Sequence, residues 1–308
     1  MSKRIHRFTV SVNCHIPDDT LCTDQVQSLE QLYDDCGVLI LPDSYSETGT
    51  PTRLVINCHG AGGMVSKTGS QIEDMILTKY LVANGYAVMD VNGLPERFAA
   101  EKDLNILNNI GSPIAVRAYV RGYHYCMERF NLKPDVFVHG GSMGGISSTN
   151  LVLSGSIPVI AQSGYCPVLD TYEQIFLRPW SGGLPKIVLG TLYRLDKDEN
   201  GEYIYDEAKM LGHNPAKNQK AETYPVPVKF WHCVDDGTVP YFVTKKLIDT
   251  AKANGVPAYL RSFPYGGHEP QLVGAPIKNP CGKTVFDGET LEINPAVEEV
   301  LIWFNNFN

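Results

Sequence analysis

Three stretches of this chain set a reactive side chain among glycines. In Val136-Phe137-Val138-His139-Gly140-Gly141-Ser142-Met143-Gly144-Gly145-Ile146, one serine follows a short apolar run rich in β-branched and aromatic residues. Gly140-x-Ser142-x-Gly144 has the spacing of a nucleophile elbow, a strand-to-helix turn so tight that the serine is strained and its Oγ exposed. Glycine suits both flanks because a Cβ there would meet neighbouring backbone. A hydroxyl presented in this way can attack an acyl carbon. It needs a base, a group that orients the base, and amides aimed at the developing oxyanion.

Chain order narrows the base. If serine is followed by the acid and then by histidine, His268 alone of the eight histidines lies beyond the acid region. It closes the turn Pro264-Tyr265-Gly266-Gly267-His268. The acid has two adjacent candidates, Asp235 and Asp236, in Asp235-Asp236-Gly237-Thr238-Val239-Pro240, and a more distant one in Asp170. For the oxyanion, His59-Gly60-Ala61-Gly62-Gly63 offers the amide of Ala61, or that of Gly62, and Met143 offers the amide after the serine. Losing one such donor typically costs about 3–4 kcal/mol of barrier. A phosphate-binding reading of the same loop is discounted, because neither G-K-[ST] nor G-x-G-x-x-G occurs.

Hydrophobic patterning places each of these stretches after a strand. Residues 53–58 form an apolar run leading into His59, and 136–140 lead into Ser142. Residues 226–234 lead into Asp235, and 258–263 lead into the turn of His268. Further strands are expected at 36–41, 86–91 and 158–164. Helical spacing marks 72–83, 113–130, 241–254 and 295–307, the first announced by the capping-box pattern Ser70-x-x-Glu73. Strand and helix alternating at this rhythm give right-handed βαβ crossovers and a mostly parallel sheet covered on both faces. The rhythm stops between about 165 and 225, which reads as a lid-like insertion over the carboxyl edge. Residues 1–35 read as an N-terminal extension to a domain spanning 36–308, with strand-like alternation at 7–12 and a short helix expected at 23–33.

Composition excludes several classes. With 308 residues, 43% hydrophobic and 19% charged, the chain can bury a full core. A net charge of −8 argues against a nucleic-acid or anionic-lipid surface. No run of about 18 apolar residues suggests a transmembrane helix. No apolar core follows the basic start, so no signal peptide is read; a cytoplasmic location is expected, or a secreted one if a leader has been removed. The eight cysteines include no C-x-x-C pair, and zinc-ligand spacing is absent. Cys14 and Cys22 are the pair that could bridge in an oxidising setting.

Taken jointly and in this order, HGAGG (59–63), GGSMGG (140–145), DDGTVP (235–240) and GGH (266–268) resemble the α/β-hydrolases, in the branch of esterases and prolyl-oligopeptidase-like serine hydrolases. The resemblance covers about residue 36 to 308. It implies the α/β-hydrolase fold, a triad of Ser142, Asp236 and His268, and an oxyanion hole from Ala61 and Met143. Asp236 is favoured over Asp235 because the D-x-x-V-P phrase of such proteins begins with the acid. No metal or cofactor is implied. The expected activity is hydrolysis of a small-molecule carboxylic ester through an acyl-enzyme, with carbohydrate acetyl or feruloyl esters suggested by analogy. A peptidase for small peptides is the alternative, and a non-catalytic binding protein on the same scaffold a further one. Tyr165, Phe176, Trp180 and Leu94 are the aromatic and apolar candidates to line the pocket. Neither oligomeric state nor natural substrate follows from these residues.

Overall fold

Runs rich in Val, Ile, Leu and Phe, buried at every position in the central strands Leu54–Cys58, Ala87–Val91 and Val136–Gly140, supply eight strands of a single sheet in a computed structural model, which describes residues 4–15, 32–179, 183–218, 223–268, 283–286, 289–292 and 295–307. They are β1 (Arg4–Asn13), β2 (Leu32–Leu41), β3 (Leu54–Cys58), β4 (Ala87–Val91), β5 (Val136–Gly140), β6 (Val159–Tyr165), β7 (Val228–Cys233) and β8 (Ala258–Phe263). Their order across the sheet is β1-β2-β4-β3-β5-β6-β7-β8. The strands from β4 to β8 run parallel, and β1 and β2 join antiparallel at one edge. Strand β3 pairs with β4 on one side and β5 on the other, so the winding direction reverses there. Such a reversal opens a crevice at the carboxyl ends of the strands, where ligands of open α/β sheets bind. The loops carrying His59 and Ser142 leave β3 and β5 at that point.

Helices cover both faces. On one side lie α2 (Glu96–Glu101), α3 (Pro113–Arg129) and α7 (Tyr241–Ala253), packing Phe98, Ile114, Tyr119, Val243 and Leu247 into one core. On the other lie α1 (Ile76–Ala83) and α8 (Pro295–Asn305), packing Leu77, Leu81, Val297, Val300 and Phe304 against Val55, Phe137 and Trp231. Helix α3 starts where its chemistry says it should: Ser112 accepts from the Ala115 amide at 3.2 Å and Pro113 follows at the first helical position. Helix α4 (Met143–Ser154) is buried along almost its whole length behind the reactive serine.

Several local expectations change. The Ser70 hydroxyl does not cap the helix; it donates to the Glu73 carboxylate at 2.8 Å, and a single 3-10 turn intervenes before α1. Residues 4–13, assigned to an extension, supply the edge strand of the same sheet, paired along their whole length with β2. The helix expected at 23–33 falls mostly outside the described residues, and Leu32 and Tyr33 already belong to β2. Cys22 is likewise outside them, while the Cys14 thiol is buried and pushed up to about 12, chiefly by that burial. A two-stranded antiparallel ribbon, β9 (Lys283–Phe286) with β10 (Glu289–Glu292), precedes α8 and was not expected. Among the described residues, no helix is long and apolar enough to cross a membrane.

The 165–225 segment contains a π-helical turn (Tyr172–Phe176), α5 (Leu184–Leu192) and α6 (Glu207–Met210). Its Val168, Ile175, Leu189, Leu195 and Met210 close a third apolar cluster around Ile110, Met143, Ile146 and Val239. The insertion therefore rests on the residue after Ser142 and on the strand end that carries Asp236.

The buried Phe304 ring stacks on Phe137 with centroids 4.5 Å apart, and this contact anchors α8 to the sheet. Replacing Phe304 with Ala is expected to lower stability by about 3–5 kcal/mol, read as a reduced urea midpoint with an unchanged m-value.

Candidate active site

The turn after β5 bends as its glycines require. Ser142 has φ 53° and ψ −122°, a left-handed conformation that a side chain rarely adopts. A Cβ on Gly140 would lie 2.2 Å from the Gly144 carbonyl oxygen, and one on Gly144 would lie 1.9 Å from that of Cys58. Four backbone hydrogen bonds hold the strain. The Ser142 amide donates to Tyr165 O at 2.9 Å, Val168 N and Gly145 N each donate to Ser142 O at 2.9 Å, and Gly144 N donates to Gly141 O at 2.8 Å.

From this perch the Ser142 hydroxyl meets His268 Nε2 at 2.8 Å, and His268 Nδ1 meets the Asp236 carboxylate at 2.8 Å. A carboxylate only accepts, so Nδ1 carries the proton and Nε2 accepts from the serine hydroxyl. The two adjacent aspartates divide the work of fixing His268. Asp236 is buried and holds the ring; exposed Asp235 accepts from the amides of Gly266 at 3.1 Å and Gly267 at 2.8 Å and so holds the loop. Asp170 instead accepts from Tyr172 N, Glu173 N and Asn214 Nδ2 within the insertion.

Asp236 has more partners than sequence reasoning supplied. Thr238 N and Val239 N donate to it at 2.8 and 2.9 Å, and His232 Nε2 lies 3.1 Å from it. His232 Nε2 also lies 2.9 Å from the Val239 carbonyl, which can only accept, so Nε2 is protonated and shared between the two oxygens. Its Nδ1 then accepts from the buried Thr244 hydroxyl at 2.9 Å. Burial would push the Asp236 carboxyl up, but the donors from His232, His268 and Val239 outweigh it and hold the group well below the usual carboxylate range. The spacing of His232 four residues ahead of Asp236 was the available signal, hidden inside what read as an apolar strand.

The first loop contributes amides. Gly62 N donates to Leu107 O at 3.2 Å and Gly63 N to Gly60 O at 3.0 Å. Ala61 is half-exposed and borders the cleft, as does Gly60, while Met143 N heads α4, where first-turn amides have no intrahelical acceptor. His59 does not face the cleft chemistry as a base. It is buried, its Nδ1 3.2 Å from both oxygens of Asp90, and its Nε2 3.2 Å from Asn109 Nδ2. Asn109 Oδ1 accepts from Gly111 N and Ser147 Oγ, which fixes Nδ2 as donor and His59 Nε2 as acceptor. Asn57, Tyr119 and the Val91 amide also donate to Asp90. This polar layer pins the loop of Ala61 from below.

A cleft of about 360 Å³ opens beside Ser142 and His268, bordered by Gly60, Ala61, Met75, Tyr165 and Cys166 among others. Of the four lining candidates, Tyr165 borders it. Leu94 is fully buried in the sheet core, Phe176 packs on Tyr205 in the insertion, and Trp180 lies outside the described residues.

The sheet order, the elbow and the flanking layers define the α/β-hydrolase fold. Solved structures of peptidases are among those that share it with this chain. A Pyrococcus horikoshii acylaminoacyl peptidase aligns with a TM-score of 0.61 at 14% identity over 88% of this chain and 39% of its own. A putative dipeptidyl aminopeptidase IV from Bacteroides ovatus aligns at 0.62 and 16% over 99% and 36%. A Mycobacterium tuberculosis puromycin-hydrolyzing peptidase aligns at 0.58 and 17% over 76% and 34%. The chain thus spans well under half the length of each. No family model and no curated protein sequence matches it.

Two buried histidines contribute to the acid response of the folded chain. Burial pushes His139 down to about 3, and His213 likewise to about 3. In the unfolded chain an imidazole protonates near pH 6.5 (roughly). The stability that depends on their neutrality is therefore complete above that pH and is lost as pH falls toward 3. Replacing His139 with Phe is expected to flatten the fall of unfolding free energy across this window, by up to about 1.4 kcal/mol per pH unit, measured by urea titrations at stepped pH.

Proposed function

We propose that the chain is a serine hydrolase in which Ser142 is the nucleophile, His268 the general base and then acid, Asp236 the group that orients it, and the amides of Ala61 and Met143 the oxyanion hole. The observation that carries this reading is the unbroken chain of hydrogen bonds from the Ser142 hydroxyl through His268 to Asp236, each 2.8 Å long, at the mouth of a cleft. His268 takes the serine proton as Oγ bonds to the acyl carbon. The tetrahedral oxyanion is met by the two amides, and the histidine returns the proton to the leaving group as its bond breaks. Water, deprotonated by the same histidine, then releases the acyl group. Because the Asp236 carboxyl is held below its ordinary range, it stays ionised throughout the working pH of the histidine.

Among substrates, amide bonds of short or acylated peptides come first. Support comes from the likeness in fold to chains named as acylaminoacyl and puromycin-hydrolysing peptidases. Hydrolysis of carboxylic esters, including the carbohydrate acetyl and feruloyl kinds, is the second reading. It is favoured by the HGAGG loop shared with esterases and uses the same acyl-enzyme, differing only in the leaving group.

Ser142→Ala is expected to abolish labelling by a fluorophosphonate probe and to cut turnover by about four orders of magnitude or more, with an unchanged far-UV spectrum. Asp236→Asn should lower kcat by about four orders while leaving probe labelling slow but detectable. A panel of aminoacyl amides, acetyl esters and feruloyl esters ranks the two substrate readings by kcat/KM. Undiminished turnover in the Ser142→Ala protein would reject the assignment.

A further inference from the structure

The cleft beside Ser142 is lined by apolar and polar residues together. Met75, Ile76 and Leu77 line it from the start of α1, Val297 from α8, and the Tyr165 side chain from the end of β6. His139, on β5 three residues before Ser142, is among the lining residues. Its Nδ1 meets the Ser163 hydroxyl of the neighbouring strand at 2.7 Å, and its ring packs edge-on against Tyr165 with centroids 4.7 Å apart. Both contacts fix the ring and turn Nε2 to the side away from Ser163. The residue borders the cleft while only 1% exposed. Among the described residues Nε2 has no hydrogen-bond partner.

A buried polar atom left unmet costs about 1–3 kcal/mol, so such an atom calls for a partner, from water or from a ligand. Burial keeps this imidazole neutral. A neutral ring nitrogen either donates or accepts according to the tautomer, and a hydroxyl can answer in both cases. The walls suit an aromatic ring, which Met75 and Tyr165 can flank through sulfur–ring and ring–ring contacts.

We propose that this cleft receives an acyl group carrying a hydroxyaryl, tyrosine-like side chain, whose hydroxyl bonds His139 Nε2 while its ring lies between Met75 and Tyr165. This rests on the serine-hydrolase reading of Ser142 and makes His139 a specificity-determining residue of the same site. Tyrosine and phenylalanine differ only by the hydroxyl in question, so their ratio isolates it.

The test measures kcat/KM for N-acetyl-tyrosine and N-acetyl-phenylalanine p-nitrophenyl esters, with fluorophosphonate labelling of Ser142 in parallel. The native protein is expected to favour the tyrosyl ester by about tenfold or more. His139→Phe should bring the ratio close to one. His139→Gln, whose amide can still donate or accept, should keep part of the preference and serves if the Phe variant does not fold. A ratio near one in the native protein, with Ser142 still labelled, would overturn the inference alone and mean that Nε2 is met only by water. A preference that survives in a folded His139→Phe protein would overturn it too. Absence of both labelling and turnover would instead remove the hydrolase reading on which it rests.

Discussion

One strained residue governs the rest of the site. Ser142 sits at φ 53°, where a side chain is disfavoured by about 1–3 kcal/mol, and the surroundings over-determine that conformation. Tyr165 O and the amides of Val168 and Gly145 grip its peptide groups, and the close approach of Cys58 and Gly144 permits nothing larger than hydrogen at the glycines. Relaxing the turn would swing the hydroxyl away from His268 and pull the Met143 amide out of line. The parallel sheet provides rigid strands on either side, and the insertion buries Met143 from above.

The imidazole that faces this serine is held by division of labour between neighbours in sequence. Asp235 binds the two glycine amides before His268, and Asp236 binds the ring. His232 and two backbone amides complete the shell of Asp236. A buried carboxylate without such donors would take up a proton; with them Asp236 remains charged beside the imidazole. Beneath the other side of the cleft, His59 and Asp90 act in an analogous way on backbone, tying the Ala61 loop to β4 and α3 through Tyr119 and Asn109.

The parts legible in the sequence were those written as local patterns. The elbow, the two aspartates and the histidine turn each follow an apolar strand, and that rhythm implies a mostly parallel sheet, as the strands from β4 to β8 form. What escaped depended on contacts between distant segments. Pairing of β1 with β2 cannot be read from an alternation of six residues, because register is set by a partner far along the chain. His232 and His139 both hid inside apolar strands, where a histidine reads as core until its neighbours are known. Ser70 and Glu73 fit a capping pattern, yet Glu73 also pairs with Arg7 on β1, and that tertiary demand outweighs the local cap. Leu94, an apolar candidate to line the pocket, is buried in the core instead.

The central claim is that the elbow aims one hydroxyl at an imidazole on one side and at a pocket of amides on the other. A crystal structure of the phosphonylated protein tests it most directly, since the phosphonyl oxygen stands where the oxyanion would form. The expected result is an adduct on Ser142 Oγ with that oxygen about 2.7–3.1 Å from both the Ala61 and Met143 amides. An adduct on another residue, or an oxygen turned away from both amides, would contradict it.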